Sequence, residues 1–151
     1  QYRIKFILGK ITAYVDALRL GKTTVDDLTS YTQAAVEIEH IMPQTCADKE
    51  LYGMNDEDFS VYINRLGNLT LLENSINKSI HNDVYANKSK AYKQSKFYLT
   101  SSLSELVNQG HDTAINRTNS LLFAWSDWNK RSIEERQEML YRLSEMIWEM
   151  S

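Results

Sequence analysis

Apolar side chains recur at helical spacing over residues 2–20, at Ile4, Ile7, Leu8, Ile11, Tyr14, Val15 and Leu18, and predict an amphipathic helix that Gly21 closes. Thr24 followed by Asp27 predicts a short second helix to about Tyr31. The period then changes. In AAVEIEHI, residues 34–41, Val36, Ile38 and His40 alternate with Glu37, Glu39 and Ile41, the two-residue repeat of a strand. Pro43, the only proline, cuts that run short. Residues 43–57 keep to no period and read as a long loop. Phe59, Tyr62, Ile63 and Leu66 then share one side of a short helix over 57–66. Gly67 breaks it, NLTLLE (68–73) forms a second short strand, and NSINKSIHND (74–83) resumes the helical pattern through Ile76 and Ile80.

Downstream the pattern is helical. Val84, Tyr85, Tyr92 and Phe97 mark a helix over 84–98, and another runs from Ser101 to about Gln109. Gly110 separates these from residues 112–130, which include Trp125 and Trp128. Ser132 and Glu135 have capping-box spacing at the head of a last helix, with Ile133, Leu140, Leu143, Ile147 and Met150 along one side. Trp125, Trp128 and Trp148 read as core or interface residues. No repeat, low-complexity tract or Pro/Gly-rich linker interrupts the chain, so residues 1–151 read as one domain.

Composition narrows the class. With 42% hydrophobic and 25% charged residues the chain has the make-up of a folded globular protein. No apolar run approaches the roughly 18–20 residues of a membrane span. Cys46 is the only cysteine, which excludes an internal disulfide and a Cys-rich zinc site, and a reducing, cytoplasmic setting is expected. The start at Gln1 rather than Met suggests a piece of a larger protein. Net charge is −3, but it is unevenly spread. From Asn74 to Tyr98 five lysines (Lys78, Lys88, Lys90, Lys93, Lys96) face one acid, Asp83; from Glu37 to Phe59 seven acids face Lys49 alone. A basic strip beside an acidic one suits a surface that holds a polyanion near a cation, and a solvated lysine-rich helix face accounts for it equally.

The order strand, loop, strand, helix carries a set of polar residues. His40 ends the first strand, Asn68 opens the second, and Asn77 lies on the helix nine residues later. Hydrolysing a phosphodiester requires a base for water and a cation to neutralise charge on the leaving oxygen. A neutral imidazole, whose ordinary pKa is about 6.5, suits the first task. A carboxylate and an amide, Glu39 and Asn77, suit Mg²⁺. No motif supplies a Ser or Cys nucleophile, and there is no Gly-rich phosphate loop.

At these positions EIEHIMP…GNLTLLENSINK resembles the HNH, or His-Me finger, nuclease pattern. With Tyr85, Lys88 and the Trp128…Ile133…Arg136 tail, the chain more narrowly resembles the C-terminal nuclease domain of GmrSD-type modification-dependent (type IV) restriction endonucleases of bacterial anti-phage defence. That resemblance is close over residues 36–90 and looser over 1–150. It implies an α+β, mostly α fold, with a small ββα-metal core over about 34–82 wrapped by helices from 1–31 and 83–151. It also implies that the chain is the C-terminal part of a protein with an upstream nucleotide-dependent, ParB-like domain or subunit.

The activity so implied is metal-dependent DNA cleavage, with His40 as general base. Asn68 would brace the loop that aims it, and Glu39 and Asn77 would be ligands of one divalent cation, Mg²⁺ or alternatively Mn²⁺. Lys78, Lys88 and His81 are the candidate nucleic-acid contacts, each with a bland alternative as a solvated surface residue. Two departures stand out. Glu73 and Ile76 occupy places where many HNH domains carry zinc-binding cysteines, so no structural zinc is expected. Glu39 is one methylene longer than the Asp usual at its place, which puts its direct coordination in question. The rival readings are cleavage of RNA and a catalytically silent nucleic-acid-binding or subunit-docking module with the same fold.

Overall fold

A computed structural model describes residues 1–25 and 27–149. Helix α1 spans Tyr2–Arg19 and buries Leu8, Ile11, Tyr14 and Val15 on its predicted side. Gly21, at φ 72°, turns the chain out of it. Helix α2 is confined to Thr29–Thr32, later and shorter than the spacing predicts. Asp27 stands outside it and accepts the Thr29 amide at 2.7 Å, so its carboxylate serves the helix start instead of lying within the first turn.

Strands β1 (Val36–His40) and β2 (Leu69–Glu73) pair antiparallel, with Val36 opposite Glu73 and His40 opposite Leu69. Their long connection carries a 3₁₀ turn, Lys49–Tyr52, and helix α3, Asp56–Tyr62. Asn55 caps α3 by accepting the Asp58 amide at 2.8 Å. Helix α4 (Asn74–Ile80) follows β2 directly, giving the order β, β, α. Then come α5 (Tyr85–Tyr92), α6 (Tyr98–Ser101), α7 (Ala114–Asn119) and α8 (Lys130–Glu149). The protein is thus mostly helical with one small sheet, the α+β class expected.

Three expectations for the second half are corrected. The helix over 84–98 stops at Tyr92, where the Glu73 carboxylate accepts the Ser95 hydroxyl at 2.7 Å and the Lys96 amide at 2.8 Å, drawing the backbone out of the helix and onto the end of β2. Residues 102–109 form no helix. Instead the Leu103 carbonyl accepts the Trp125 amide at 2.8 Å across a loop crossing. The capping pair of α8 lies three residues earlier than expected. Asn129 Oδ1 accepts the Ser132 amide at 3.1 Å while Ser132 Oγ accepts the Asn129 amide at 3.3 Å. Glu135 is drawn away to the Trp125 indole at 3.0 Å. Met150 lies outside the described residues, and Trp148 is 44% exposed, not core.

The ribbon is covered on both faces. Val36, Leu69 and Leu71 pack with Leu8 of α1 and Phe97. Leu72, on the opposite face, joins the larger core with Ile11, Val15, Ile41, Tyr92, Trp128, Ile133 and Leu140. Burying both faces fixes the register, because a slip of one residue would turn every apolar side chain to the wrong side. Among the described residues no helix is long and apolar enough to cross a membrane.

Candidate functional site

The register divides β1. His40 and Ile38 project on the face of Leu69 and Leu71, while Glu37 and Glu39 project with Leu72 and Thr70 on the other. His40 is therefore the last strand residue on one face, and its ring is only half buried. Ile41, Met42 and Pro43, which follow it, are all buried.

Asn68 holds that turn. Its Oδ1 accepts the Met42 amide at 2.8 Å and the Trp128 indole N–H at 3.0 Å. Its Nδ2 donates to the carbonyls of Met42 at 3.2 Å and Ile63 at 2.9 Å. The backbone of Asn68 takes the Ile41 amide at 2.9 Å and donates to the Arg65 carbonyl at 2.8 Å. With both lone pairs and both amide protons engaged, Asn68 has nothing left for a substrate and acts on position alone. The ring of His40 meets two amides: Nε2 lies 3.1 Å from Asn64 Oδ1 and 3.4 Å from Gln44 Nε2.

On the other face, Glu39 is 5% exposed. Its Oε1 accepts the Lys88 ammonium at 2.6 Å and the Tyr92 hydroxyl at 2.7 Å, and Lys88 also donates to the His40 carbonyl at 2.8 Å. Burial, with the Glu39 carboxylate beside it, pushes the Tyr92 phenol well above its ordinary value, so it remains a donor. Asn77 Nδ2 donates to Glu37 Oε2 at 2.6 Å. The amide that spacing singled out on α4 thus meets Glu37, two residues before the expected partner.

Of the expected assignments, Lys88 does not match these placements, and Glu39 keeps a single oxygen for a cation. Lys88 is 1% exposed, and its charge is used inside the protein, so it offers nothing to a phosphate at the surface. Glu39, expected as a cation ligand, has one oxygen taken by Lys88 and Tyr92. Only its Oε2 is without a hydrogen-bond donor among the described residues. Lys78 and His81 are exposed, as a phosphate contact would need. His81 also ends α4 in a backbone conformation rare for a side-chain-bearing residue, φ 36° and ψ −123°.

Glu37, Asn64, Gln44 and Tyr92 did not stand out in the sequence. The alternation of β1 could have flagged Glu37, since it shares a face with Glu39. Nothing local marks Asn64, which meets His40 from 24 residues away.

The donors on the Glu37 face, two carboxylates and an amide oxygen, are hard oxygen ligands of the kind Mg²⁺ and Mn²⁺ take. Asn77 Oδ1 accepts no hydrogen bond among the described residues, and its amide hydrogen bond to Glu37 brings the two side chains together. No three His, Cys, Asp or Glu side chains gather as metal ligands among the described residues, so a cation here would draw on the amide oxygen as well.

The far end of the chain supports this region. Arg136 of α8 is fully buried and donates from Nη1 to the carbonyls of Gly67 at 3.0 Å and Leu69 at 2.6 Å. Burial pulls its guanidinium down to about 10, which leaves it charged at neutral pH. Arg136 thereby pins the last helix to the turn through backbone carbonyls.

Fold and site together define an α-rich domain with a two-stranded ribbon and helix, whose end presents a histidine from a tightly anchored turn. Residues 1–143 match the family model of GmrSD restriction endonucleases, C-terminal domain, and the chain belongs to that family. No curated protein and no solved structure matches it significantly. Membership connects the chain with restriction endonucleases, enzymes that act on DNA.

Proposed function

We propose that this domain is an HNH-type, metal-dependent DNA endonuclease with His40 as general base. The observation that carries the reading is the anchorage of His40: its ring is partly exposed while the turn behind it is tied through every polar atom of the Asn68 side chain. A histidine serving only the fold would not need an accessible ring on so rigid a support. His40 takes a proton from water, the oxygen attacks phosphorus in line, and the bond to the 3′ oxygen breaks. A divalent cation, when bound, supplies neutralisation of charge on the scissile phosphate and leaving oxygen.

Glu37 and Asn77 are the residues that would hold the cation, with Glu39 Oε2 as a further donor. Lys88 and Tyr92 hold the Glu39 carboxylate in place at the end of β1. Lys78 and His81 contact the phosphate backbone, which makes binding salt-dependent and indifferent to sequence. Selection of modified DNA falls to an upstream nucleotide-dependent, ParB-like region.

The Glu39–Lys88 pair favours a second reading, a domain that binds DNA and no longer cuts it, because it ties up an oxygen at the place where the family resemblance expects a cation ligand. Nicking of supercoiled plasmid in Mg²⁺ or Mn²⁺ decides between the two. The wild-type chain should nick, EDTA should stop it, and His40→Ala and Asn77→Ala should each lower the rate by roughly 10²-fold or more. Metal-dependent binding without nicking, or equal nicking by His40→Ala, would sink the enzymatic reading.

A further inference from the structure

Two side-chain amides approach the same nitrogen of His40, and they ask opposite things of it. Asn64 Oδ1, 3.1 Å from Nε2, can only accept, and so calls for a proton on Nε2. Gln44 Nε2, at 3.4 Å, can only donate, and so calls for a lone pair there. A neutral imidazole can satisfy one of them. The shorter contact falls within ordinary hydrogen-bond range and the longer one at its edge.

Building on the reading of His40 as base, we infer that Asn64 is a positioning residue. It holds the proton on His40 Nε2, so that Nδ1 carries the lone pair that receives the proton from water.

The fold gives Asn64 the means. It is exposed, but both its chain neighbours are held. The Ile63 carbonyl accepts Asn68 Nδ2 at 2.9 Å, and the Arg65 carbonyl accepts the Asn68 amide at 2.8 Å. The Arg65 guanidinium also stacks 3.9 Å above the Tyr62 ring. Asn68 simultaneously holds Ile41 and Met42, directly after His40. One buried side chain and its backbone therefore fix both the segment bearing the base and the segment bearing the amide that sets its protonation. His40 Nδ1 has no hydrogen-bond partner among the described residues, so it is the nitrogen left for substrate water. A wrongly placed proton would put the lone pair against Asn64 Oδ1 and leave an N–H where a base is required. The same loss of tautomer is known to be costly wherever a neighbouring acceptor orients a catalytic histidine.

The test is long-range ¹H–¹⁵N NMR of the histidine rings of the full 151-residue chain, at a pH where His40 is neutral, with His40→Ala used to assign its signals. Wild type is expected to show the Nε2–H form. Asn64→Ala should shift His40 toward Nδ1–H, because Gln44 is then the only amide at Nε2. Asn64→Asp, which keeps an accepting oxygen, should retain Nε2–H, and so should Gln44→Ala, which removes the competitor. In the plasmid assay Asn64→Ala should nick at least about tenfold more slowly at unchanged DNA affinity, with Asn64→Asp close to wild type.

An Nδ1–H form in wild type, or an unchanged tautomer in Asn64→Ala, would overturn the inference. Because the ring spectra do not depend on turnover, they are read whether or not DNA is cut. The expected tautomer shift together with His40→Ala nicking at the wild-type rate would remove the base from the proposed function, while Asn64 would keep its hold on the ring.

Discussion

At the scale of single residues, the most consequential group is the pair Glu39 and Lys88, 2.6 Å apart and almost completely buried. Taking two charges out of water is expensive, and their attraction offsets that cost only while both are present. Lys88→Met should therefore destabilise the fold by about 3–5 kcal/mol, since it strands a carboxylate beside Tyr92. Pairing it with Glu39→Leu should recover most of the loss, and urea midpoints of the three variants measure both effects. If Lys88→Met proved neutral, the carboxylate would have to reach water by another route. Spacing and residue type in the sequence brought out His40, Asn68 and Asn77, although their partners Asn64, Trp128 and Glu37 lie 24, 60 and 40 residues away. They misjudged Lys88, since nothing within α5 tells a lysine that solvates a helix face from one whose ammonium turns inward to a strand 48 residues away.

Among elements, α8 packs tightly against the 3₁₀ turn at Leu66–Asn68. A Cβ placed on Gly67 would stand 2.1 Å from the Ile133 carbonyl and 3.0 Å from Gln137. Glycine is needed there for contact with a neighbouring backbone and not to end α3, which stops at Tyr62, short of the expected break at Gly67. Gly67→Ala should force α8 off the turn, cost about 1–3 kcal/mol or more, and weaken the hold of Arg136 and Trp128. Chemical denaturation reads the first effect, and a change in Trp fluorescence of the native state reads the second. A substitution that left both unchanged would show that α8 shifts freely. Both strands and α1, α3 and α4 were legible from hydrophobic period alone, to within a few residues. The region 93–129 was not. Glu73, Leu103 and Asn129 redirect the backbone there through contacts that periodicity cannot register.

Over the whole molecule, Asp16 links three segments, accepting the Tyr98 amide at 2.9 Å and the Tyr31 hydroxyl at 3.0 Å from within α1. Burial raises its pKa above the ordinary 3.8, outweighing the lowering by Tyr98 and Tyr31. A carboxyl raised on folding binds more protons folded than unfolded between those two values, so its contribution improves as pH falls through that window and worsens as pH rises. The midpoint of wild type relative to Asp16→Asn should therefore move in favour of wild type as the pH is lowered from 7 toward 4. A constant difference would mean that the carboxyl titrates as it does in the unfolded chain.

The Trp128 indole that completes the set of bonds on Asn68 comes from 60 residues further along the chain, and Arg136 from later still. A ribosome adds roughly 5–20 residues each second, so the ribbon and its histidine emerge seconds before the parts that set them. Through that interval a growing chain carries the polar end of the ribbon without its buttress. Maturation is then timed by translation itself: the turn after His40 takes its final form only once the last helix has been made and has packed against it.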